Sequence, residues 1–210
     1  MSGSSRILGV MTGMDVPAVP GWVVVPPVQV DDLYWLAYAM YEGRVAPGLA
    51  GVGSAVTWVR SGIGPAPVTG RADTPVTRGL AQAEMWAAIA AYGSDDPPAP
   101  RPGALCDVFG VPYLPPLKVD RILASGVLQT LAWMLGEKGQ DPPLMLPFRD
   151  AAGRPLTVGQ LFTRLIRVAP GRYERPEQRR ELERLGLQSQ ETADLIADTK
   201  HRVVAARAAG

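Results

Sequence analysis

The chain contains 210 residues, of which 47% are hydrophobic and 20% are charged, and its formal net charge is +1. This composition is typical of one globular domain, or of one domain with an appendage, and it excludes disordered, collagen-like and disulfide-rich chains. Cys106 and His201 are the only residues of their kinds. The chain therefore forms no intramolecular disulfide and lacks the roughly four ligands of a Cys/His zinc site.

The sequence contains no segment that predicts a membrane partner. Residues 1–10 lack the apolar stretch of a signal peptide, and no run approaches the ~18 apolar residues of a membrane span. We therefore expect a cytoplasmic protein. Arginine outnumbers lysine 18 to 3 and asparagine is absent, which indicates a high-GC genome such as that of an actinobacterium or one of its phages.

Seven helices are predicted from apolar spacing and from capping residues. Residues 7–30 are interpreted instead as irregular chain with a short extended piece, and residues 94–116 as a proline-rich connection. No segment shows the alternation of apolar and polar residues that predicts a strand. In chain order, the predicted helices span residues 31–41, 49–59, 75–92, 120–135, 157–168 and 176–185, with a last helix of about five turns from Ser189.

Capping residues set the predicted boundaries of these helices. Asp31 or Asp32 caps the first helix, and Thr74 caps the third. Thr157 and Gln160 form a capping-box pair at the start of the fifth. The predicted C-terminal caps are glycines that follow a helical pattern: Gly43, Gly93, Gly136 and Gly186.

The predicted fold is mainly α: a compact helical core, a C-terminal basic helical unit and irregular connections rich in proline and glycine. The helix at residues 120–135 has too many apolar residues for one exposed face, so we interpret it as the central core helix. A change in composition near residue 148 predicts two units, 1–148 and 149–210, of which the second is free to pack on the first.

Residues 48–54 contain three closely spaced glycines, as phosphate-binding loops do. A dinucleotide-binding loop needs a further glycine where Val56 stands, together with a preceding buried strand, and a Walker loop needs a lysine. Neither requirement is met. The segment is more typical of a loosely packed helix or of a close crossing between helices.

The remaining polar residues show no catalytic or metal-binding pattern. Cys106 stands in an apolar run and His201 near the end of a charged helix, which favours a buried thiol and a solvated imidazole. The adjacent acids Asp31 and Asp32 are explained as helix caps. We therefore predict no catalytic residue, no metal site and no cofactor; an acid-based site assembled from distant residues is invisible to sequence spacing.

The predicted helix at residues 31–41 is apolar on all sides, which is normal for a helix buried in a core or in an interface. Its aromatic residues Tyr34, Trp35, Tyr38 and Tyr41 are the candidate protein interface. The sequence therefore favours a non-enzymatic helical interaction or assembly protein. Its expected partner is another protein or a second copy of the chain.

Charge is distributed unevenly between the two predicted units. Residues 1–148 carry 9 basic and 12 acidic residues, a net charge of −3, whereas residues 149–210 carry 12 basic and 8 acidic residues, a net charge of +4. Seven arginines of the second unit are candidate contacts for nucleic-acid phosphates. They are Arg164, Arg167, Arg172, Arg175, Arg179, Arg180 and Arg184. The alternative function is therefore a small nucleic-acid-binding protein.

Glutamates at helical spacing offer a competing explanation for this arginine-rich region. Acids and bases that are three or four residues apart on a helix neutralise each other on a solvated face. Only Tyr173 is nearby for stacking on bases, which argues against a platform for single strands. The candidate pairs are Glu177 with Arg180, Arg179 with Glu183, and Glu181 with Arg184.

The same region carries a resemblance to a known family. The residues that carry it are Arg154-Pro155-Leu156, Gly159, Gly171-Arg172, Pro176-Glu177-Gln178-Arg179-Arg180 and Leu182-Glu183-Arg184-Leu185-Gly186-Leu187. Residues 154–187 thereby resemble the helicase-associated three-helix repeat of actinobacterial helicases. The resemblance implies a three-helix unit that contacts nucleic acid, and it adds to the alternative function.

Overall fold

A computed structural model of the protein describes residues 19–42, 48–62, 64–72, 75–93 and 102–210. Over these ranges the chain forms seven α-helices and no strand, apart from an isolated antiparallel bridge between Arg149 and Pro155. The predicted mainly α fold is therefore confirmed. No helix in these ranges combines the length and the apolar character that crossing a membrane requires.

The bounds of the helices are α1 Pro27–Glu42, α2 Leu49–Ser61, α3 Arg78–Tyr92, α4 Pro102–Val108, α5 Arg121–Leu135, α6 Val158–Val168 and α7 Pro176–Ala209. Helix α5 lies between α2 and α3 in the core. α5 packs against both α2 and α3, and α1 packs on α2. Val127, Leu131 and Met134 of α5 are completely buried, as predicted for the central core helix.

α2 and α5 approach each other closely at two glycines. A Cβ atom on Gly51 would lie 2.1 Å from the backbone oxygen of Leu123, and one on Gly126 would lie 2.6 Å from the backbone oxygen of Gly48. Such distances are far below van der Waals contact, so the backbones are this close only because both positions lack a side chain. Gly48 and Gly51 therefore serve a close helix crossing, one of the two structures predicted for this segment, whereas a Cβ atom on Gly53 meets nothing within 4 Å.

α1 begins earlier in the chain than predicted. Pro27 is its first residue, a position that suits proline because the backbone N–H is not needed there. Asp31 and Asp32 consequently lie inside the helix, and the prediction that one of them caps it is wrong. The predicted C-cap Gly43 lies outside the described residues.

Two boundaries in the middle of the chain also differ from the prediction. α3 begins after Thr77, whose hydroxyl oxygen accepts a hydrogen bond from the first turn, and the predicted cap Thr74 lies outside the described residues. The connection predicted at residues 94–116 contains the short helix α4. Pro102 is tolerated there because it stands in the first turn, where its missing N–H has no partner to lose.

The ends predicted for α5 and α6 are confirmed. The side chain of Asp120 accepts a hydrogen bond from the backbone N–H of Ile122 at 2.7 Å, and Gly136 ends α5 with a φ of 76°. Thr157 and Gln160 form the predicted capping box at the start of α6. At these ends the local residues alone determine the boundary.

The loop at residues 64–72 is fixed by a buried carboxylate. Glu84 of α3 is 2% exposed and accepts hydrogen bonds from the backbone N–H and the hydroxyl of Thr69, at 3.1 and 2.7 Å. It also accepts a hydrogen bond from the backbone N–H of Val68. One side chain of α3 therefore fixes an irregular segment to the core.

α7 is one continuous helix of 34 residues, so the predicted break at Gly186 is wrong. Gly186 lies where α6 contacts α7, and a Cβ atom there would lie 2.8 Å from the side chain of Val158. Ser189, predicted to cap a separate helix, instead accepts a hydrogen bond from the backbone N–H of Phe148 at 2.8 Å. Both residues serve contacts between segments, and neither marks a helix end.

The buried residues of α7 form one stripe along the helix. They are Leu182, Gly186, Ser189, Ala193, Ile196 and Thr199, three or four residues apart. α7 packs on α6 and on α1, and Ile196 belongs to the buried core of the protein. The C-terminal helices are therefore packed on the core, and the division of the chain at residue 148 stays a prediction.

Substitutions of the glycines at the crossing of α2 and α5 distinguish the effect of packing on stability from the effect of helix propensity. Gly51→Ala and Gly126→Ala should each lower the free energy of unfolding by about 1–3 kcal/mol, because the new methyl group overpacks the crossing. Gly53→Ala is the matched control, because a Cβ atom there meets nothing within 4 Å and alanine favours the helix by about 1 kcal/mol. Urea unfolding measures these differences. Equal stability of Gly51→Ala and Gly53→Ala would contradict the close crossing.

Candidate functional site

An open groove lies between α1 and α2, and we call it the tyrosine groove. Its volume is about 590 Å³, and Tyr34, Tyr38 and Tyr41 line it from α1. Gly53 and Trp58 are among the residues that line it from α2. Binding sites for small molecules and apolar groups commonly have volumes of about 300–1,000 Å³ and mostly apolar walls. The groove has the size and the character of such a site.

Three of the four predicted interface residues line this groove. Tyr41 is 68% exposed and Tyr38 is 39% exposed, whereas Tyr34 is half-buried. The ring of Trp35 packs edge-on against the rings of Tyr34 and Tyr38, with centroids 5.2 and 6.0 Å apart. Lys200 Nζ of α7 lies 5.9 Å from the centroid of Trp35. α1 therefore presents its tyrosines to the groove and its tryptophan to α7.

Two charged side chains fix the tyrosines of the groove. The guanidinium of Arg60 lies 4.0 Å from the centroid of the Tyr34 ring, which is a cation–π contact. The carboxylate of Glu42 accepts a hydrogen bond from the Tyr38 hydroxyl and raises the pKa of that hydroxyl. Tyr34 and Tyr38 are thereby held in place, so the groove is partly pre-formed.

Asp31 and Asp32 of α1 are ion-pair partners of the C-terminal helices. Asp32 is 1% exposed and faces Arg149, whose Nη2 lies 2.7 Å from Oδ1 and whose Nε lies 2.5 Å from Oδ2. Asp31 binds Arg60 of α2 at 3.0 Å and also binds Lys200 of α7. Helices α1, α2 and α7 and the segment before α6 therefore meet at two adjacent carboxylates.

Burial and ion pairing act on Asp32 in opposite directions. Burial raises the pKa of its carboxyl, because the charged form loses its hydration, and the guanidinium of Arg149 opposes that rise. Sequence reasoning missed this role of Asp32. The sequence did contain a signal, because Asp31 and Asp32 are adjacent acids inside an otherwise apolar helix. Charges that are buried with such a helix need partners, which indicates an ion pair.

The seven predicted arginines lie on a helical hairpin, which we call the arginine hairpin. It consists of α6, residues 169–175 and α7 as far as Leu185. All seven arginine side chains are exposed. Residues 154–187 contain α6 and the first part of α7, and their resemblance to the helicase-associated repeat stays a prediction.

Glutamates neutralise only part of the charge on the arginine hairpin. Among the described residues, Glu181 and Arg184 are the one predicted pair within ion-pair distance. Their contact lowers the pKa of Glu181 and raises that of Arg184, because each charge stabilises the other. Arg164 donates a hydrogen bond to the backbone oxygen of Arg149 at 3.0 Å. The hairpin therefore remains positively charged and exposed.

The arginines of the two helices do not share one face. Val158 of α6 contacts Gly186 of α7, so these two residues mark the sides on which the helices meet. At about 100° per residue, Arg167 lies on the far side of α6 and Arg184 lies on the far side of α7. Arg167 and Arg184 therefore point outward on opposite sides of the hairpin, whereas Arg179 lines a cleft together with Phe162 and Ile166 of α6.

Cys106 and His201 occupy the environments predicted for them. Cys106 is buried in α4, and this burial raises the pKa of its thiol, whereas His201 is exposed on α7. Within the ranges that the structure describes, no group of three His, Cys, Asp or Glu side chains is arranged to hold a metal ion.

Comparisons of the chain with protein-family models, with curated proteins and with solved structures give no match. The two candidate sites are distinguished by their own chemistry. The tyrosine groove is concave, aromatic and partly pre-formed, whereas the arginine hairpin is cationic and solvated.

Removing the partner of Asp32 should destabilise the protein in a pH-dependent way. In Arg149→Met the Asp32 carboxylate is buried without its guanidinium, so the free energy of unfolding near pH 7 should fall by about 3–5 kcal/mol. The pKa of Asp32 then lies further above its unfolded value. Between the pKa values of Asp32 in the unfolded and in the folded state, the folded state therefore binds more protons than the unfolded state. The free energy of unfolding should rise again as the pH is lowered through this range. Urea unfolding at several pH values measures both effects.

The double variant Arg149→Met with Asp32→Leu is the matched control, because it replaces both members of the pair by apolar groups. It should recover most of the lost stability and remove the pH dependence. A double variant as unstable as Arg149→Met would show that the guanidinium acts mainly through its 2.6 Å hydrogen bond to the backbone oxygen of Gly153.

Proposed function

We propose that this protein is a non-enzymatic helical interaction protein, which binds an apolar segment of a partner protein in the tyrosine groove. One observation carries the proposal: α1 and α2 leave an open groove between them, and two of its three tyrosines, Tyr38 and Tyr41, are 39% and 68% exposed. Tyrosine is enriched at protein interfaces because its ring buries a large apolar area while its hydroxyl keeps a polar partner.

The pre-formed tyrosines support the proposal. Arg60 and Glu42 already hold Tyr34 and Tyr38 in place, and a site that is ordered before binding loses less conformational entropy when the partner arrives. Tyr41 is the most exposed of the three rings and has the largest area left to bury. A groove between two helices accommodates apolar side chains that a partner segment presents along one side.

Filling the groove without damaging the fold tests this function. Gly53 lines the groove, and a Cβ atom there meets nothing within 4 Å, so Gly53→Leu places an apolar side chain in the groove and favours the helix. We expect the fold to be retained and the association with the partner, or of the chain with itself, to weaken at least about tenfold. Sedimentation over a concentration series and pulldown from the source cell measure this association.

Gly159→Leu is the matched control for this variant. Gly159 is also a helical glycine whose Cβ position is open, but it lies on α6, outside the groove. Gly159→Leu should leave the association unchanged. A strictly monomeric protein without a protein partner, or an equal loss of association in both glycine variants, would overturn the proposed function.

We propose nucleic-acid binding by the arginine hairpin as the second candidate function. The observation that favours it is that six of the seven exposed arginines form no ion pair with a described residue. Exposed arginines bind phosphates well, and the resemblance of residues 154–187 to the helicase-associated repeat supports the same function. Arg167 and Arg184 point to opposite sides of the hairpin, which is less suited to contact with one duplex surface, so this function ranks second.

Salt-dependent binding tests the second function. Fluorescence anisotropy with duplex and single-stranded DNA should show log affinity falling linearly with log salt concentration. Replacing both Arg179 and Arg180 by alanine should reduce the slope by about 2, because each phosphate contact contributes about 1. Arg202→Ala is the control, since Arg202 is an exposed arginine of α7 outside the hairpin that pairs with Asp198 at 3.1 Å. Salt-independent binding, or an equal effect of the control, would contradict this function.

A further inference from the structure

Residues 111–118, which we call the proline segment, connect α4 to α5 across the surface with neither helix nor strand. Their sequence is Val-Pro-Tyr-Leu-Pro-Pro-Leu-Lys. The apolar side chains of Tyr113, Leu114 and Leu117 are exposed. Exposed apolar patches on globular proteins mark interaction sites more often than single exposed residues do.

The prolines restrict the backbone of this segment. Pro112, Pro115 and Pro116 each hold φ near about −65°, and each disfavours helical backbone for the residue before it, which includes Val111 and Leu114. A run of residues with these restrictions favours the polyproline II helix. The segment is therefore ordered before any partner binds, which lowers the entropy cost of binding.

A polyproline II helix has three residues per turn, so residues that are three apart share an edge. Pro112, Pro115 and Lys118 form one edge, and all three are exposed. Leu114 and Leu117 form a second edge, and both are exposed. The side chains of both edges are therefore exposed from residue 112 onward, whereas Val111, on the same edge as Leu114, packs against the core.

The ends of the proline segment are anchored to the core, and its middle is not. Arg71 donates a hydrogen bond to the backbone oxygen of Pro112, and the backbone N–H of Leu117 donates to the backbone oxygen of Val68 at 2.8 Å. Between these anchors, no described residue is hydrogen-bonded to the backbone of residues 113–116. The segment is therefore held at Pro112 and Leu117 and has free backbone groups between them.

We propose that the proline segment of one copy of this protein binds in the tyrosine groove of a second copy; this inference rests on the proposed function and names its partner. Segments of the polyproline II type dock into grooves lined by aromatic side chains. The tyrosine groove supplies three tyrosines and Trp58 in a space of about 590 Å³. One molecule thus carries both an exposed proline segment and a concave aromatic groove.

Charge supports this pairing. Lys118 is the only charged residue of the proline segment and is exposed at one end of its proline edge. Glu42 lies beside the groove, where its carboxylate is hydrogen-bonded to Tyr38 and lies 4.0 Å from Arg202 of α7, and its side chain is 48% exposed. A lysine at the end of the proline segment and a glutamate at the end of the groove attract each other and fix the direction of binding.

The proposed contact joins two different surfaces of the chain, so it is a head-to-tail contact. Such contacts build a ring when the rotation between copies closes and an open chain when it does not. Each copy uses its groove for one neighbour and its proline segment for the other. If one variant has a blocked groove and a second variant has a weakened proline segment, the two can still form one contact. In this contact the proline segment of the first variant binds in the groove of the second.

A mixing experiment with two full-length variants tests the proposal. Gly53→Leu blocks the groove and keeps the proline segment, whereas the double variant Pro112→Ala with Pro115→Ala weakens the segment and keeps the groove. Wild type should associate beyond a dimer as its concentration rises in sedimentation velocity. Each variant alone should be a monomer, and the equimolar mixture should form a one-to-one complex. Leu187→Ala, an exposed position on α7, should associate like the wild type, and circular dichroism verifies that every variant is folded.

Three results would overturn the proposal. They are a wild type that is monomeric at every concentration, a mixture that stays monomeric while the wild type associates, and a proline variant that associates as well as the wild type. The last result would indicate a symmetric contact through the groove. If the wild type is monomeric but Gly53→Leu loses a protein partner in the pulldown, the proposed function stands and the head-to-tail contact fails.

Discussion

The carboxylate of Asp32 is almost completely buried, and its positive partner comes from far along the chain. Arg149 stands 117 residues later and reaches both carboxylate oxygens. A buried charge without a partner costs several kcal/mol, so the C-terminal helices cannot leave α1 unless Asp32 becomes hydrated or protonated. Apolar contacts secure α6 less firmly, because Leu161 is its one buried residue among those described. This ion pair therefore helps to fix the position of the arginine hairpin relative to the core, together with the buried stripe of α7.

α1 connects the two halves of the molecule through charges as well as through packing. Arg60 of α2 binds Asp31 at 3.0 Å and also lies over the ring of Tyr34. Asp31 in turn binds Lys200 of α7. A single guanidinium is therefore shared between the aromatic wall of the groove and the carboxylate that holds α7. Loss of the contact with Lys200 would leave Asp31 with Arg60 as its main counter-ion.

The sequence predicts structure well where a helix end is determined by its own residues, and poorly where a neighbouring segment decides. The capping box at Thr157 and the left-handed glycine at Gly136 are local features, and both were predictable. Gly186 has the same local pattern as Gly136, but Val158 packs against it and the helix continues. The tyrosines of α1 were recognisable as a candidate interface. The groove itself was not, because its other wall depends on how closely α2 crosses α5 at Gly51.

Because α7 has no break, it is one long and rigid helix. Thirty-four residues at a rise of about 1.5 Å each make a rod of roughly 51 Å, which is comparable to the diameter of a small protein. One end of this rod carries the arginine hairpin, and Lys200, beyond its midpoint, is bound to Asp31. A partner that tilts the hairpin moves the whole rod, so the displacement reaches the Asp31 carboxylate, and through Arg60 the groove, without any change in the fold of the helix.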